Sequence, residues 1–382
     1  MTEGKEKMLA VFGGDAVHGG DVWGWSRVLG RPVRDILDLS ASLNPLGPPS
    51  GLNEAVQAAM EHVCHYPDRL CYDLRHAIAD KLGADAACVL PGNGSTALIR
   101  MITRVLDLQQ IMLLAPAFGE FGRSLALAGR HFHYLIMRER NSFAPVDDDL
   151  ERIWEEQPSA VILCNPVSPT GQLVAPEVLD KLLAKAHRRR VWVVVDEAFI
   201  DFAPPEARAW ALPRVQEYPH LVVLRSLTKF YCIAGLRLGY ALAHADTLGD
   251  LAPMGQPWSV NTLAQAAGVY CLTQTEYEKE SRSKVSEWRQ QQAAALSELG
   301  LMVLPSQVNY MLCRLPAGGP IAAQVTEACA QQGVLVRDAS SFVGCDDYHL
   351  RVAVAAPADQ ARLLTALKQA LATAGPGQRS EP

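Results

Sequence analysis

A lysine stands in a hydroxyl-rich turn, Ser226-Leu227-Thr228-Lys229, and an arginine follows within Gly235-Leu236-Arg237-Leu238-Gly239-Tyr240. A lysine amine condenses with an aldehyde, and hydroxyls together with a planar guanidinium fork hold a phosphate dianion. Pyridoxal phosphate (PLP) carries both groups, and this pattern is what a PLP enzyme needs. Upstream, Val191-Trp192-Val193-Val194-Val195 reads as a buried parallel strand that delivers Asp196 at its carboxyl end, where open α/β sheets place ligands. A carboxylate there keeps the pyridine nitrogen protonated and turns the ring into an electron sink. Taken singly, the first motif is an ordinary solvated turn and the second a helix cap. In this order, with Arg237 behind them, they point to one cofactor site.

Three further turns lie where the same site needs them. Pro91-Gly92-Asn93-Gly94-Ser95-Thr96 follows a short strand and opens a helix with apolar residues at Ala97, Leu98, Met101, Ile102 and Val105. Backbone amides at such a helix start form a cup for phosphate, which makes Gly94, Ser95 and Thr96 candidate partners of Ser226, Thr228 and Arg237. Cys164-Asn165-Pro166-Val167-Ser168-Pro169-Thr170-Gly171 closes another strand, and either Asn165 or Ser168 is placed to donate to the cofactor 3′-oxygen. Phe118, in Pro116-Ala117-Phe118-Gly119-Glu120-Phe121, is the candidate to stack on the ring.

The elements that must hold these residues alternate. Apolar β-like runs at 87–90, 111–115, 160–164, 191–195, 221–224 and 238–243 are separated by helical patterns such as 178–190. Repeated βαβ units mean an α/β fold with a mainly parallel sheet sandwiched by helices. After Asn261 the pattern turns to long helices, 263–272 and 276–299, and then to a small α+β region with strands near 302–304, 310–313, 334–336 and 350–354. The expected organisation is an N-terminal arm with part of the small domain (1–50), a large PLP-binding domain (51–275), a small C-terminal domain (276–374) and a disordered tail (375–382). With 382 residues, 49% of them hydrophobic, the chain can bury a large core. The net charge of −6 and the lack of a long Lys/Arg block argue against nucleic acid, since His187-Arg188-Arg189-Arg190 only closes a helix. No apolar run approaches the ~20 residues of a membrane helix. Nine scattered cysteines, with no signal peptide ahead of them, point to reduced thiols and a cytoplasmic protein. His131-Phe132-His133 reads as strand alternation, and no metal site is expected.

Together these motifs resemble the fold type I PLP enzymes of the aspartate aminotransferase group. Within that group the chain is most similar to the L-threonine-O-3-phosphate decarboxylases of cobalamin biosynthesis. The likeness runs from about His18 to Leu371. It includes Val17-His18-Gly19-Gly20, Asn44-Pro45-Leu46-Gly47, Tyr66-Pro67-Asp68, Asp196-Glu197-Ala198-Phe199 and Gln256-Pro257-Trp258-Ser259-Val260-Asn261. The resemblance implies that Lys229 carries the cofactor and Asp196 pairs with its ring nitrogen. Gly94, Ser95, Thr96, Ser226, Thr228 and Arg237 would hold its phosphate, with Tyr66 reaching over from the second subunit of a homodimer. It further implies that His18, Gly19 and Asn44, with Arg337 and Arg351, meet the substrate's phosphate and carboxylate, the two arginines dividing the anions in either order. The reaction implied is α-decarboxylation of L-threonine phosphate to (R)-1-amino-2-propanol phosphate, with Lys229 reprotonating Cα.

Two positions depart from the pattern. Ser168 stands where relatives carry Asn before Pro-Thr-Gly, and Ser42 stands where they carry the first Asn of Ser-Ala-Asn-x-Asn-Pro. The second change leaves serine phosphate open as the substrate. The rival enzyme is an aminotransferase acting on a phosphorylated amino acid such as histidinol phosphate. A PLP-sensing regulator would need a DNA-binding domain ahead of this core, and only 17 residues precede His18.

Overall fold

The computed structural model describes residues 19–106 and 109–373. His18 and the 375–382 tail lie outside the described residues. The central element is a seven-stranded sheet. Its strands are β2 (Val89–Asn93), β3 (Gln110–Ala115), β4 (His131–Ile136), β5 (Ala160–Cys164), β6 (Trp192–Asp196), β7 (Leu221–Ser226) and β8 (Leu238–Ala243), in the order β2-β8-β7-β6-β5-β3-β4. Strands β4, β3, β5, β6 and β7 pair in parallel, while β8 runs antiparallel to both β7 and β2.

The apolar runs are continuous because both faces of the sheet are covered. Val193, Val195, Val223 and Leu242 pack into the larger core cluster, whereas Val194, Val222, Leu224 and Ala243 pack into the second, so successive residues feed opposite faces. The crossover helices follow their own signals. In Pro176–Arg189, Pro176 sits in the first turn and His187, Arg188 and Arg189 complement the dipole in the last, before Arg190 ends the helix in the left-handed conformation.

The helix Thr262–Leu272 packs on the large sheet's cover, and the 24-residue helix Thr275–Glu298 leads away from it. Beyond it lie β9 (Met302–Val303), β10 (Tyr310–Arg314), β12 (Arg337–Asp338) and β13 (His349–Ala353), an antiparallel sheet of order β12-β13-β10-β9. The N-terminal arm returns to this region, since β1 (Leu37–Asp38) pairs in parallel with β11 (Val334–Leu335). The result is the fold type I architecture, a helix-covered, mainly parallel sheet with a separate small antiparallel sheet.

Candidate active site

A cavity of about 1080 Å³ opens at the carboxyl edge of the parallel strands. The topology explains why separate motifs meet there. β6 ends at Asp196, β7 ends at Ser226, and the one-turn helix Leu227–Phe230 then carries Thr228 and Lys229. Because β8 runs the other way, its first residues stand at the same edge. Gly239 pairs with Ser226, which brings Arg237 beside the helix start at Gly94. That approach is close. A Cβ on Gly94, whose φ is +73°, would lie 2.7 Å from the Arg237 Nη2, and one on Gly239 would lie 2.8 Å from the Ser95 backbone nitrogen. Ser95, Thr96, Ser226, Thr228 and Arg237 therefore face one region, where the Ser226 and Thr228 hydroxyls lie 2.7 Å apart.

Charge is finely poised on the cavity floor. Burial pushes the Lys229 ammonium down to about 8, with Arg237 and Arg351 adding to the fall and Asp196 opposing it. Burial also pushes the Asp196 carboxyl up to about 6, against the Ala198 amide and the Lys229 charge. The Ala198 N–H donates to Asp196 Oδ1 at 3.0 Å and so aims the carboxylate.

The other end of the cavity is cationic. Arg337 and Arg351 are both lowered, first by burial, Arg337 to about 10. Among the described residues neither makes an ion pair. Arg337 Nη2 donates to Ser341 Oγ at 2.9 Å and Arg351 Nη2 to the Ser40 carbonyl at 2.9 Å. Phe342 lies under both guanidinium groups, at 5.6 and 5.8 Å. Among the described residues Arg351 Nε and the buried Ser42 hydroxyl have no hydrogen-bond partner. Two desolvated cations with spare donors are a receptor for anions.

Residues 34–369 match the aminotransferase class I and II family. The chain belongs to that family. It is an enzyme of the PLP-dependent kind, and PLP is its cofactor. The chain is 32% identical to a threonine-phosphate decarboxylase of Salmonella typhimurium over 370 residues, 96% of this chain and 100% of that one. It is 31% identical to histidinol-phosphate aminotransferase 2 of Ralstonia nicotianae over 351 residues, 91% of this chain and 92% of that one. Histidinol-phosphate aminotransferase from Sinorhizobium meliloti, solved in complex with pyridoxal-5′-phosphate, superposes with a TM-score of 0.81 at 22% identity, covering 94% of this chain and 96% of that one.

The donor set fits the cofactor of this family. A buried amine, a buried carboxylate, two hydroxyls and an arginine share one cavity, and Gly94, Ser95, Thr96, Phe118 and Ser168 line the same space. Gly19, Arg337 and Arg351 line it from the arm and the small sheet.

Three of the described candidates from the sequence, Tyr66, Asn165 and Asn44, lie elsewhere. His18 is outside the described residues. Tyr66 is 79% exposed and stacks on Trp258, ring centres 4.7 Å apart, outside the cavity of its own chain. Asn165 turns inward, its Oδ1 accepting from Val174 N at 3.0 Å to close the turn after β5, so Ser168 is the one that faces the cavity. Asn44 does not reach the cavity either, because its amide is taken up by Phe230 O, Tyr277 Oη and Ser281 Oγ.

The structure adds residues that were not among the sequence candidates. Arg100, Glu120, Arg123 and Tyr134 also line the cavity, with Glu120 buried between Arg100 and Arg123 at 3.3 and 3.4 Å. Arg100 stands four residues after Thr96, on the same helix face, and that spacing was the available signal. Tyr134, on the edge strand, had none.

Proposed function

We propose that this chain decarboxylates L-threonine O-3-phosphate to (R)-1-amino-2-propanol O-2-phosphate, the linker unit of the cobalamin nucleotide loop. The observation that carries the substrate class is the pair of buried arginines, Arg337 and Arg351, which make no ion pair among the described residues and line the cavity with Ser42, whose hydroxyl has no partner among them. A substrate with both a phosphate and a carboxylate meets two cations there. Decarboxylation rather than amino transfer is supported by the end-to-end similarity to the Salmonella typhimurium threonine-phosphate decarboxylase.

When bound, PLP supplies the electron sink for the bond broken at the substrate's Cα. Lys229 holds the cofactor, and an amine whose pKa lies near 8 can return a proton to Cα at physiological pH. Asp196 holds the proton on the ring nitrogen. Gly94, Ser95, Thr96, Ser226, Thr228 and Arg237 bind the cofactor phosphate, Phe118 covers the ring and the Ser168 hydroxyl donates to the 3′-oxygen. Arg337, Arg351, Gly19 and, from the arm, His18 fix the substrate anions. Fixing both of them would hold the substrate in one orientation about Cα.

The chain works as a homodimer in this reading. Met60, Val63, Tyr66, Tyr72, Met254 and Trp258 are exposed large side chains, and covering them with a second copy would deliver Tyr66 to the partner's cofactor phosphate. Among the described residues no helix is long and apolar enough to cross a membrane, and the nine cysteines are free thiols, which supports a cytoplasmic setting.

The test is incubation of the PLP-loaded protein with L-threonine phosphate, L-serine phosphate and histidinol phosphate, products being identified by mass. The amino-propanol phosphate is expected from the first. Product from serine phosphate alone would make Ser42 the seat of altered specificity. Amino transfer from histidinol phosphate to 2-oxoglutarate, without carbon dioxide from either phosphoamino acid, would overturn the proposal.

A further inference from the structure

Lys229 rides on a helix of a single turn, Leu227–Phe230, and so short a helix must find outside partners for its carbonyls. The first two close locally. Leu227 O accepts from Tyr231 N at 3.2 Å and Thr228 O from Ile233 N at 3.1 Å. The last two are taken by the N-terminal arm. Lys229 O accepts from Asn44 N at 3.0 Å, and Phe230 O accepts from Asn44 Nδ2 at 2.8 Å. The same side-chain nitrogen lies 2.9 Å from both Tyr277 Oη and Ser281 Oγ, on the helix Thr275–Glu298 that runs between the two sheets. Asn44 Oδ1 accepts from Leu46 N, and Tyr277 Oη donates to Gly47 O at 2.6 Å, so the arm is pinned at Asn44 and again three residues later.

Two residues earlier the arm is a wall of the cavity. Ser40, Ala41 and Ser42 line it, Arg351 is tied to Ser40 O, and Asn309 Nδ2 donates to Ser42 O at 2.8 Å. One buried amide thus joins the lysine-bearing turn, the wall on the anion side and the long helix. We propose that Asn44 is a positioning residue that makes the Lys229 turn and the Ser40–Ser42 wall one mechanical unit, so that an anion held at that wall restrains the lysine. The proposal rests on Lys229 holding the cofactor and is independent of which reaction follows. Loss of cofactor absorbance in Lys229→Ala tests that premise separately.

The decisive variants are Asn44→Asp, which keeps size and the Leu46 contact but loses the donation to Phe230 O, and Tyr277→Phe, which keeps its ring against Phe230 and Tyr231 and leaves Asn44 in place. Three quantities are read on wild type and variants. They are the PLP dissociation constant, the midpoint of the pH titration of bound-cofactor absorbance, and backbone hydrogen exchange over residues 227–233 of the PLP-loaded protein, whose cofactor fills the Ser226–Thr228–Arg237 cup, with and without inorganic phosphate. For Asn44→Asp the dissociation constant is expected to rise about fivefold to tenfold, the worth of one net hydrogen bond. The absorbance midpoint should move by about half a pH unit or more, because the midpoint reports how the amine is held. In wild type, phosphate should slow exchange over residues 227–233. In Asn44→Asp it should slow exchange in the arm alone. Tyr277→Phe should change all three in the same direction by less, and it decides the matter should Asn44→Asp not fold. An unmoved midpoint together with intact phosphate-linked protection, whatever the loss of melting temperature, would reduce Asn44 to a packing residue and overturn the proposal.

Discussion

Asp196 illustrates how the site is set at the scale of single residues. A carboxylate that must hold a proton on a ring nitrogen has to be buried beside the ring, and burial, opposed by the Ala198 amide and the Lys229 charge, raises its pKa from 3.8 to about 6. The folded protein then binds more protons than the unfolded chain between those values, and it loses stability as pH rises through that window. Asp196→Asn should therefore stabilise the apo-protein by about 3 kcal/mol above pH 6, since each pH unit between the two values is worth about 1.4 kcal/mol. The gain should fade as pH falls from 6 to 4. Urea unfolding of both apo-proteins across that range checks it, and equal stability at pH 7.5 would contradict it. The same substitution should lower turnover, since amide nitrogen cannot hold the ring proton. Site residue types were legible in the sequence because lysine, aspartate and arginine at strand ends have few ordinary uses together. The side-chain direction of an asparagine was not. Asn44 and Asn165 carry suitable amides, yet Asn44 turns its own to Phe230 O, Tyr277 and Ser281, and Asn165 turns its carbonyl to Val174 N, directions that only the fold determines.

At the scale of elements, two strand ends are clamped from behind the cavity. Arg225 and Ser226 are successive residues of β7, so when Ser226 faces the cavity Arg225 faces away. Its guanidinium, fully buried, meets Glu197 Oε2 at 2.8 Å and donates to Arg208 O at 2.7 Å. Glu197 directly follows Asp196. The pair fixes the ends of β6 and β7 and with them the spacing between Asp196 and the Lys229 turn. Arg225→Met should cost about 3–5 kcal/mol, because it leaves a buried carboxylate without its partner. Adding Glu197→Leu should recover most of that loss while leaving cofactor affinity lowered. Denaturant melts and PLP titrations separate the two effects, and full recovery of affinity would mean that the clamp serves stability alone. The strands themselves were readable as apolar runs. Their direction was not, because a run buried on both faces carries no mark of polarity. The antiparallel setting of β8, which delivers Arg237, follows from its short connection to β7 rather than from its residues.

Across the whole molecule, the cavity joins three parts of the chain that are far apart in sequence, the arm, the large sheet and the small sheet. The proposed dimer adds a fourth. Tyr66 lies outside its own chain's cavity, so a Tyr66→Ala subunit and a Lys229→Ala subunit are each defective in different sites. Mixing and refolding the two should restore up to about a quarter of wild-type activity, as random pairing yields half hybrids with one intact site each. No recovery in a mixture shown to contain hybrids would place Tyr66 within its own subunit's function. The central claim concerns Lys229 and the fate of the substrate carboxylate. The most direct measurement is carbon dioxide released from L-threonine phosphate by the PLP-loaded wild type and by Lys229→Ala, with no 2-oxo acid present. The expected result is many turnovers per subunit with equimolar amine from wild type, and none from the variant. A single amino group transferred per cofactor, with no carbon dioxide and no further reaction until a 2-oxo acid is added, would contradict the account.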